Sequence, residues 1–215
     1  AHGGKIDLKK CHYVNNGVKL SDYYESIEKN VLDDPDLTSD TFKVVYTGTV
    51  RPVNNVGNLL DTAKLLKDKK DIQFLIFGGG SELEKLQQRV KDEHIDNVIV
   101  KGFVEKKYIP YILSRSSVNV LNYSQSNYNW SRGNSSNKLF EYMASGKPII
   151  STVKMGYCIL DKYQCGLSLE ECTPQALAEQ ILKIHDMPAE TYAQMAHNAQ
   201  EGAKDFDFSV LTERL

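Results

Sequence analysis

The residue types best suited to chemistry lie close together in the stretch from Arg132 to Ile150, RGNSSNKLFEYMASGKPII. A polar loop there enters a helix at about Ser136, and the first backbone N–H groups, at Ser136, Asn137 and Lys138, have no acceptor inside the helix. With the helix dipole behind them, such groups attract phosphate. Glu141 follows three residues after Lys138. An ionised carboxylate at that point accepts both hydrogens of a vicinal diol such as a ribose. The same i, i+3 pair also reads as a solvent-exposed ion pair worth only tenths of a kcal/mol, and spacing alone leaves both readings open.

Other motifs lack part of their residue set. In FLIFGGGSELEKL, Gly78 and Gly80 fit the first two positions of a G-x-G-x-x-G dinucleotide turn, but the third is Leu83. A tight turn packed on a sheet is the plainer reading. Gly146-Lys147 follows a helix instead of opening one and runs into Pro148, so it reads as a helix end and not as a phosphate loop. Asp34-Pro-Asp36 and Asp205-Phe-Asp207 read D-x-D, yet neither falls at a strand end, and solvated carboxylates are expected. The histidines at 2, 12, 94, 185 and 197 do not cluster, and neither G-x-S-x-G nor H-E-x-x-H occurs. No metal site is expected. Cys11, Cys158, Cys165 and Cys172 form no C-x-x-C pair and no signal peptide precedes them, which predicts a reduced, cytoplasmic chain.

The positioning elements follow from periodicity. From residue 42 onward, short apolar runs alternate with helical stripes, the pattern of parallel strands joined by covering helices. Strands are predicted at 42–47, 72–77, 98–101, 118–123, 148–152 and 166–169. Runs such as VVY, FLIF and VIV are apolar on both faces, as a strand is when helices cover both sides of its sheet. Val56, Leu59, Leu60 and Ala63 mark one helix, Leu83, Leu86 and Val90 another, Leu177, Ile181 and Ile184 a third. A longer one runs from Tyr192 to Ala203, with Pro188 just before its first turn. The expected fold is α/β: a Rossmann-like open parallel sheet of about six strands with helices on both faces, over residues 42–215. Residues 1–41 carry turn signals and an acidic loop and read as an interdomain linker segment, which suggests a piece of a longer protein. With 26 Lys+Arg against 28 Asp+Glu the chain lacks the basic footprint of a nucleic-acid binder. No apolar run approaches the roughly 18 residues needed to span a bilayer.

NKLFEYMASGKPII resembles the donor-site signature of family 4 retaining glycosyltransferases, in which an E-x7-E motif ends in E-A-M-A-x-G-x-P-V-V. VNNGVKLSDYY is similar to the family's interdomain P-N-G-V-D segment, VVYTGTVRPVNNVGNLLDTAKLL to its first strand and helix, FLIFGGGSELEKL to its G-D-G turn, and NVIVKGFVEKKYIPYIL to its V-x-F-x-G-x-V loop. The resemblance implies the C-terminal, donor-binding half of a GT-B fold. It implies that Glu141 binds the ribose hydroxyls, that the backbone at Ser136, Asn137 and Lys138 binds the diphosphate, and that Gly102, Phe103 and Val104 meet the base edge. Gly48 and Thr49 then form the rim beneath the phosphates. The implied substrate is a nucleotide-diphosphate sugar such as a UDP-sugar, used without cofactor or metal. The implied partners are an N-terminal acceptor domain and a saccharide or lipid-linked acceptor, which places the protein in the cytoplasm or at the periphery of the inner membrane. The G-x-S-x-N-K string before the helix is similar to bacterial capsule and O-antigen transferases.

Several positions depart from the family pattern. The Arg that many relatives place after the first-strand Gly falls on Thr49 and their Lys on Asn54, so Arg51 and Lys138 are the candidate substitutes. The first Glu of E-x7-E falls on Gly133. Tyr123, Tyr128 and Trp130 either anchor the preceding loop or stack on the ligand. Two rival readings remain from the residues: a nucleotide-sugar epimerase, which needs carboxylates and a histidine at the cleft, and a non-catalytic Rossmann-like binding module.

Overall fold

The computed structural model describes residues 15–125 and 136–213. Strands form at β1 (Phe42–Thr47), β2 (Ile72–Phe77), β3 (Val98–Gly102), β4 (Val118–Leu121), β5 (Ile149–Ser151) and β6 (Gly166–Ser168). They make one parallel sheet in the order β3-β2-β1-β4-β5-β6. Between them run helices α1 (Leu20–Lys29), α2 (Pro35–Thr38), α3 (Gly57–Leu65), α4 (Leu83–Asp92), α5 (Ile109–Ser114), α6 (Asn137–Ala144), α7 (Ile159–Tyr163), α8 (Pro174–His185), α9 (Ala189–Lys204) and α10 (Phe208–Thr212). This is the Rossmann-like α/β fold anticipated above.

The all-apolar strands are explained by two cores, one on each face. Val45, Leu75, Phe77, Leu121 and Ile149 pack with α1, α5, α6, α7 and α9. Their sequence neighbours Val44, Tyr46, Phe74, Ile76, Val120 and Ile150 point the other way, onto α3, α4 and α8. Successive strand residues alternate between faces, so a strand covered on both sides is apolar throughout. The segment before β1 joins this packing: Tyr23 of α1 and Leu37 of α2 are buried, and Val18 pairs with Asp207 near the far end of the chain.

Strand order reverses direction between β1 and β4, where connections on one side run toward β3 and on the other toward β6. Open parallel sheets leave a crevice at the carboxyl ends of the strands flanking such a reversal. The turn after β1 and the N-terminus of α6, which follows β4, both face that crevice. Among the described residues no helix is long and apolar enough to cross a membrane.

Candidate functional site

The crevice holds a cavity of about 580 Å³ lined by the ends of β1 and β2, the turn after β3, and the first turn of α6. Its floor depends on glycine. Gly48 has φ +143° and Gly78 φ +147°, and a Cβ on Gly78 would lie 1.7 Å from the Gly48 carbonyl oxygen, so only glycine at 78 lets the two strand-end turns stack. The ladder then continues beyond the strands: Gly48 N donates to Phe77 O at 2.9 Å and Gly78 N to Gly102 O at 2.7 Å.

The turn after β1 is held from within the chain. The Thr49 carbonyl accepts hydrogen bonds from Tyr46 Oη at 2.8 Å and from Asn54 Nδ2 at 2.5 Å, and Asn54 also donates to Thr49 Oγ1 at 2.8 Å. Asn54, the position aligned with a lysine in the family pattern, is therefore a buried clamp on backbone. Arg51 is exposed, reaches Thr49 Oγ1 at 3.4 Å and does not line the cavity. The buried cation in the cavity is Lys138.

Lys138 follows Asn137, the first residue of α6. Ser136 caps the helix without a side-chain bond to it; its Oγ lies 2.8 Å from Tyr123 Oη. The amides of Asn137 and Lys138 have no acceptor within the helix. The Lys138 ammonium sits over two aromatic faces, 4.7 Å from the Tyr123 centroid and 5.0 Å from that of Tyr46. A Cβ on Gly48 would approach its Nζ to 3.2 Å, so Gly48 makes the room this side chain occupies. Burial brings the Lys138 pKa down to about 8, with the Glu141 carboxylate opposing the shift. Aromatic faces stabilise a cation by about 1 to 2 kcal/mol, well short of the hydration it gives up.

Glu141 lies one turn further along α6, its side chain 17% exposed. Burial raises its pKa, while Lys106 and Lys138 act against that rise. Its ion partner is Lys106, at 3.9 Å; among the described residues it makes no ion pair with Lys138, so the simple i, i+3 surface pair does not form. Phe103, after β3, is 77% exposed at the cavity rim beside Val104.

Of the residues singled out in the sequence, Gly48, Thr49, Phe103, Val104, Asn137, Lys138 and Glu141 line one cavity. Arg51, Gly102 and Ser136 stand outside its lining, the last two behind it in the strand-end ladder and at the helix cap. Tyr128, Trp130 and Arg132 lie outside the described residues. Thr47, Phe77, Gly79, Lys106 and Ile109, not singled out by the sequence, complete the wall together with Gly78, which the sequence presents as part of a tight turn. For the glycines the signal was available, a Gly run closing a fully apolar strand. For Lys106 it was a charge four residues past a strand-end glycine.

The two D-x-D strings have other tasks. Asp34 and Asp36 bind Lys101 at 2.7 and 2.5 Å. Asp205 accepts from Tyr163 Oη, and Asp207 accepts from the amides of Leu20 and Ser209. A larger hollow of about 770 Å³ lies at the opposite, amino edge of the sheet. Its Lys64, Lys67, Lys69 and Lys70 are exposed, and Lys64 is already paired with Glu93 at 2.7 Å.

Residues 29–202 match the family described as glycosyl transferases group 1, and the chain belongs to that family. No curated protein matches the sequence. Among solved structures the chain is similar to HepE from Anabaena, solved with UDP and glucose, at 19% identity and a TM-score of 0.73, covering 98% of this chain and 56% of that one. TarM from S. aureus, a variant solved with fondaparinux, alpha-GlcNAc-glycerol and UDP, gives 20% identity and a TM-score of 0.70 over 98% of this chain and 39% of its own. The C-terminal domain of LpcC, a glycosyl transferase group 1 family protein from Francisella tularensis, gives 16% and 0.64, covering 87% of this chain and 97% of that domain. The chain thus spans about half or less of the first two proteins and nearly all of the isolated C-terminal domain. At these identities the likeness is one of fold.

Proposed function

We propose that this chain is the donor-binding part of a retaining, metal-independent glycosyltransferase. In this reading residues 42–215 bind a nucleotide-diphosphate sugar such as a UDP-sugar, and residues 1–41 connect to an N-terminal acceptor domain. The observation that carries the reading is Lys138, a cation buried between Tyr46 and Tyr123 beside the Gly48 turn, with no carboxylate in ion-pairing distance among the described residues. Two amides with no acceptor within α6, those of Asn137 and Lys138, adjoin it. Such a site is completed by an anion, and a diphosphate supplies charge for both the ammonium and the amides.

From there the remaining groups find partners in order. Glu141, one turn along, accepts the ribose diol; exposed Phe103 stacks on the base, whose edge meets the backbone at Gly102 and Val104. Thr49 and Gly48 underlie the phosphates. As the sugar leaves, charge builds on the diphosphate, and donors fixed at those oxygens lower the barrier. The acceptor and any group that handles its proton come from the other side of the cleft, so no catalytic base is assigned to this chain.

That HepE and TarM were solved with UDP supports the choice of nucleotide. The acceptor is a saccharide or a lipid-linked carrier met at the cytoplasmic face of a membrane, in the assembly of a bacterial surface polysaccharide such as capsule or O-antigen. An epimerase would need a histidine at the cleft, and among the described residues Glu141 is the cavity's one carboxylate with no histidine beside it. Titration of the chain with UDP tests the reading. Binding that Lys138→Met and Glu141→Ala each weaken supports it; binding indifferent to both variants contradicts it and favours an interaction module.

A further inference from the structure

A second cavity of about 480 Å³ adjoins the first, and Lys106, Asn137 and Glu141 line both. Its other wall comes from the segment before β1, including Gly17, Asp22 and Tyr23. Asn16 and Asn137 join the two walls through a side-chain hydrogen bond. Tyr23 is 3% exposed, and its hydroxyl has no hydrogen-bond partner among the described residues. Burial first, then the nearby Glu141 carboxylate, push its phenol well above the ordinary tyrosine value. Buried phenols are normally satisfied. The neighbouring Tyr142 is: it donates to Thr47 O at 3.2 Å and accepts from Thr47 N at 3.0 Å.

Glu141 shows the complementary lack. Its one ion partner among the described residues, Lys106, stands 3.9 Å away on a side chain 82% exposed. A donor without an acceptor and a carboxylate without a close donor, among the described residues, thus line one cavity. To accept two ribose hydroxyls at once, a carboxylate has to be held ionised and in one rotamer.

We propose that Tyr23 is the positioning residue for Glu141: its hydroxyl donates to the carboxylate from behind when a nucleotide is bound, fixing the rotamer that presents both oxygens to the ribose diol. The proposal rests on reading Glu141 as the ribose acceptor. It makes the segment before β1 part of the donor site, and it makes Tyr23 a determinant of selectivity for ribo- over dideoxyribonucleotides without touching the ligand.

The test is calorimetric titration of the chain and its Tyr23→Phe variant with UDP, or GDP where that binds more tightly, and with the matching 2′,3′-dideoxynucleotide. Tyr23→Phe keeps the ring in the core and removes only the oxygen. The expected result is about a tenfold loss of affinity for the ribonucleotide, the order for one hydrogen bond to a charged group, with the dideoxynucleotide bound equally by both proteins. Equal affinity of both proteins for the ribonucleotide overturns the proposal, as does an equal loss for both nucleotides. A Glu141→Ala control separates the two levels. If it weakens ribonucleotide binding while Tyr23→Phe does not, only the role of Tyr23 falls; if it has no effect, or if neither nucleotide binds, the ribose reading falls too.

Discussion

The ammonium of Lys138 lies 4.7 Å from the ring centroid of Tyr123, over its face, at the point where the chain enters α6 from the β4 side. Tyr46 supplies a second face from β1. Tyr46 lies on β1 and Tyr123 just past the end of β4, the two strands that flank the reversal of the sheet, so the topology itself builds the seat for this cation. The turn after β1, where the family pattern carries an arginine and a lysine, has Thr49 and Asn54 here, and the buried cation of the cavity comes from α6 instead.

The first prediction concerns that ammonium and pH. A bound diphosphate favours the charged lysine, and the free site releases its proton at about 8. UDP affinity is therefore expected to hold steady from pH 7 to about 8 and to fall as pH rises beyond it, while Lys138→Met binds more weakly and loses this dependence. Titrations at pH 7, 8 and 9 check both statements. The sign for stability is opposite. Between about 8 and the ordinary value of 10.5 the unfolded chain keeps a proton that the folded chain has lost, so this group makes stability rise with pH in that window.

Phe103 is predicted to separate binding from folding. At 77% exposure it contributes little to the core, so Phe103→Ala is expected to change stability by less than about 0.5 kcal/mol. Loss of a base-stacking face is expected to cost about 1 to 3 kcal/mol of nucleotide binding. Chemical denaturation and a UDP titration on the same variant measure the two numbers.

Gly78 is predicted to behave in the reverse way. A methyl group there meets the Gly48 carbonyl at 1.7 Å, and the backbone sits at φ +147°. Gly78→Ala is expected to lose at least about 2 kcal/mol of stability, because backbone must move to admit it. A denaturant midpoint unchanged from the parent would contradict the packing described for the cavity floor.

Metal removal is expected to leave binding intact. Asp34 and Asp36 are committed to Lys101, and in the proposed reading the Lys138 cation with the α6 amides serves the diphosphate. UDP affinity in EDTA should equal that in magnesium. A large loss in EDTA would return the D-x-D strings to consideration.

Glu141→Ala is expected to weaken UDP binding by about 1.5 to 3 kcal/mol, the range for losing a charged hydrogen-bond partner. The 2′,3′-dideoxynucleotide should feel the substitution far less. Comparison of the two nucleotides by calorimetry reads the ribose contribution directly.

Most of the sheet is legible in the sequence because a strand covered on both faces is written as an unbroken apolar run. β1 and β2 fall at 42–47 and 72–77 as expected, and β3 extends one residue further, to Gly102. β4 is shorter than 118–123 because Asn122 turns its side-chain amide onto the Asn54 and Asn55 carbonyls. β5 is shorter than 148–152, and its first residue, Ile149, directly follows Pro148, which has no N–H to give to a ladder. In the site, Lys138 and Glu141 are legible because one helix turn sets their spacing. Lys106 and Tyr23 are not. Each reaches the crevice from a separate segment, and only the packing of α1 beside α5 and α6 brings them to the same carboxylate.

A crystal of the chain soaked with a UDP-sugar tests the central claim most directly. The account predicts phosphate oxygens within hydrogen-bond distance of Lys138 Nζ and of the Asn137 and Lys138 amides, with the ribose hydroxyls on Glu141 and the base against Phe103. A nucleotide bound instead at the amino edge of the sheet, beside Lys67, Lys69 and Lys70, would contradict it, as would a cavity at α6 that stays empty while the nucleotide binds elsewhere.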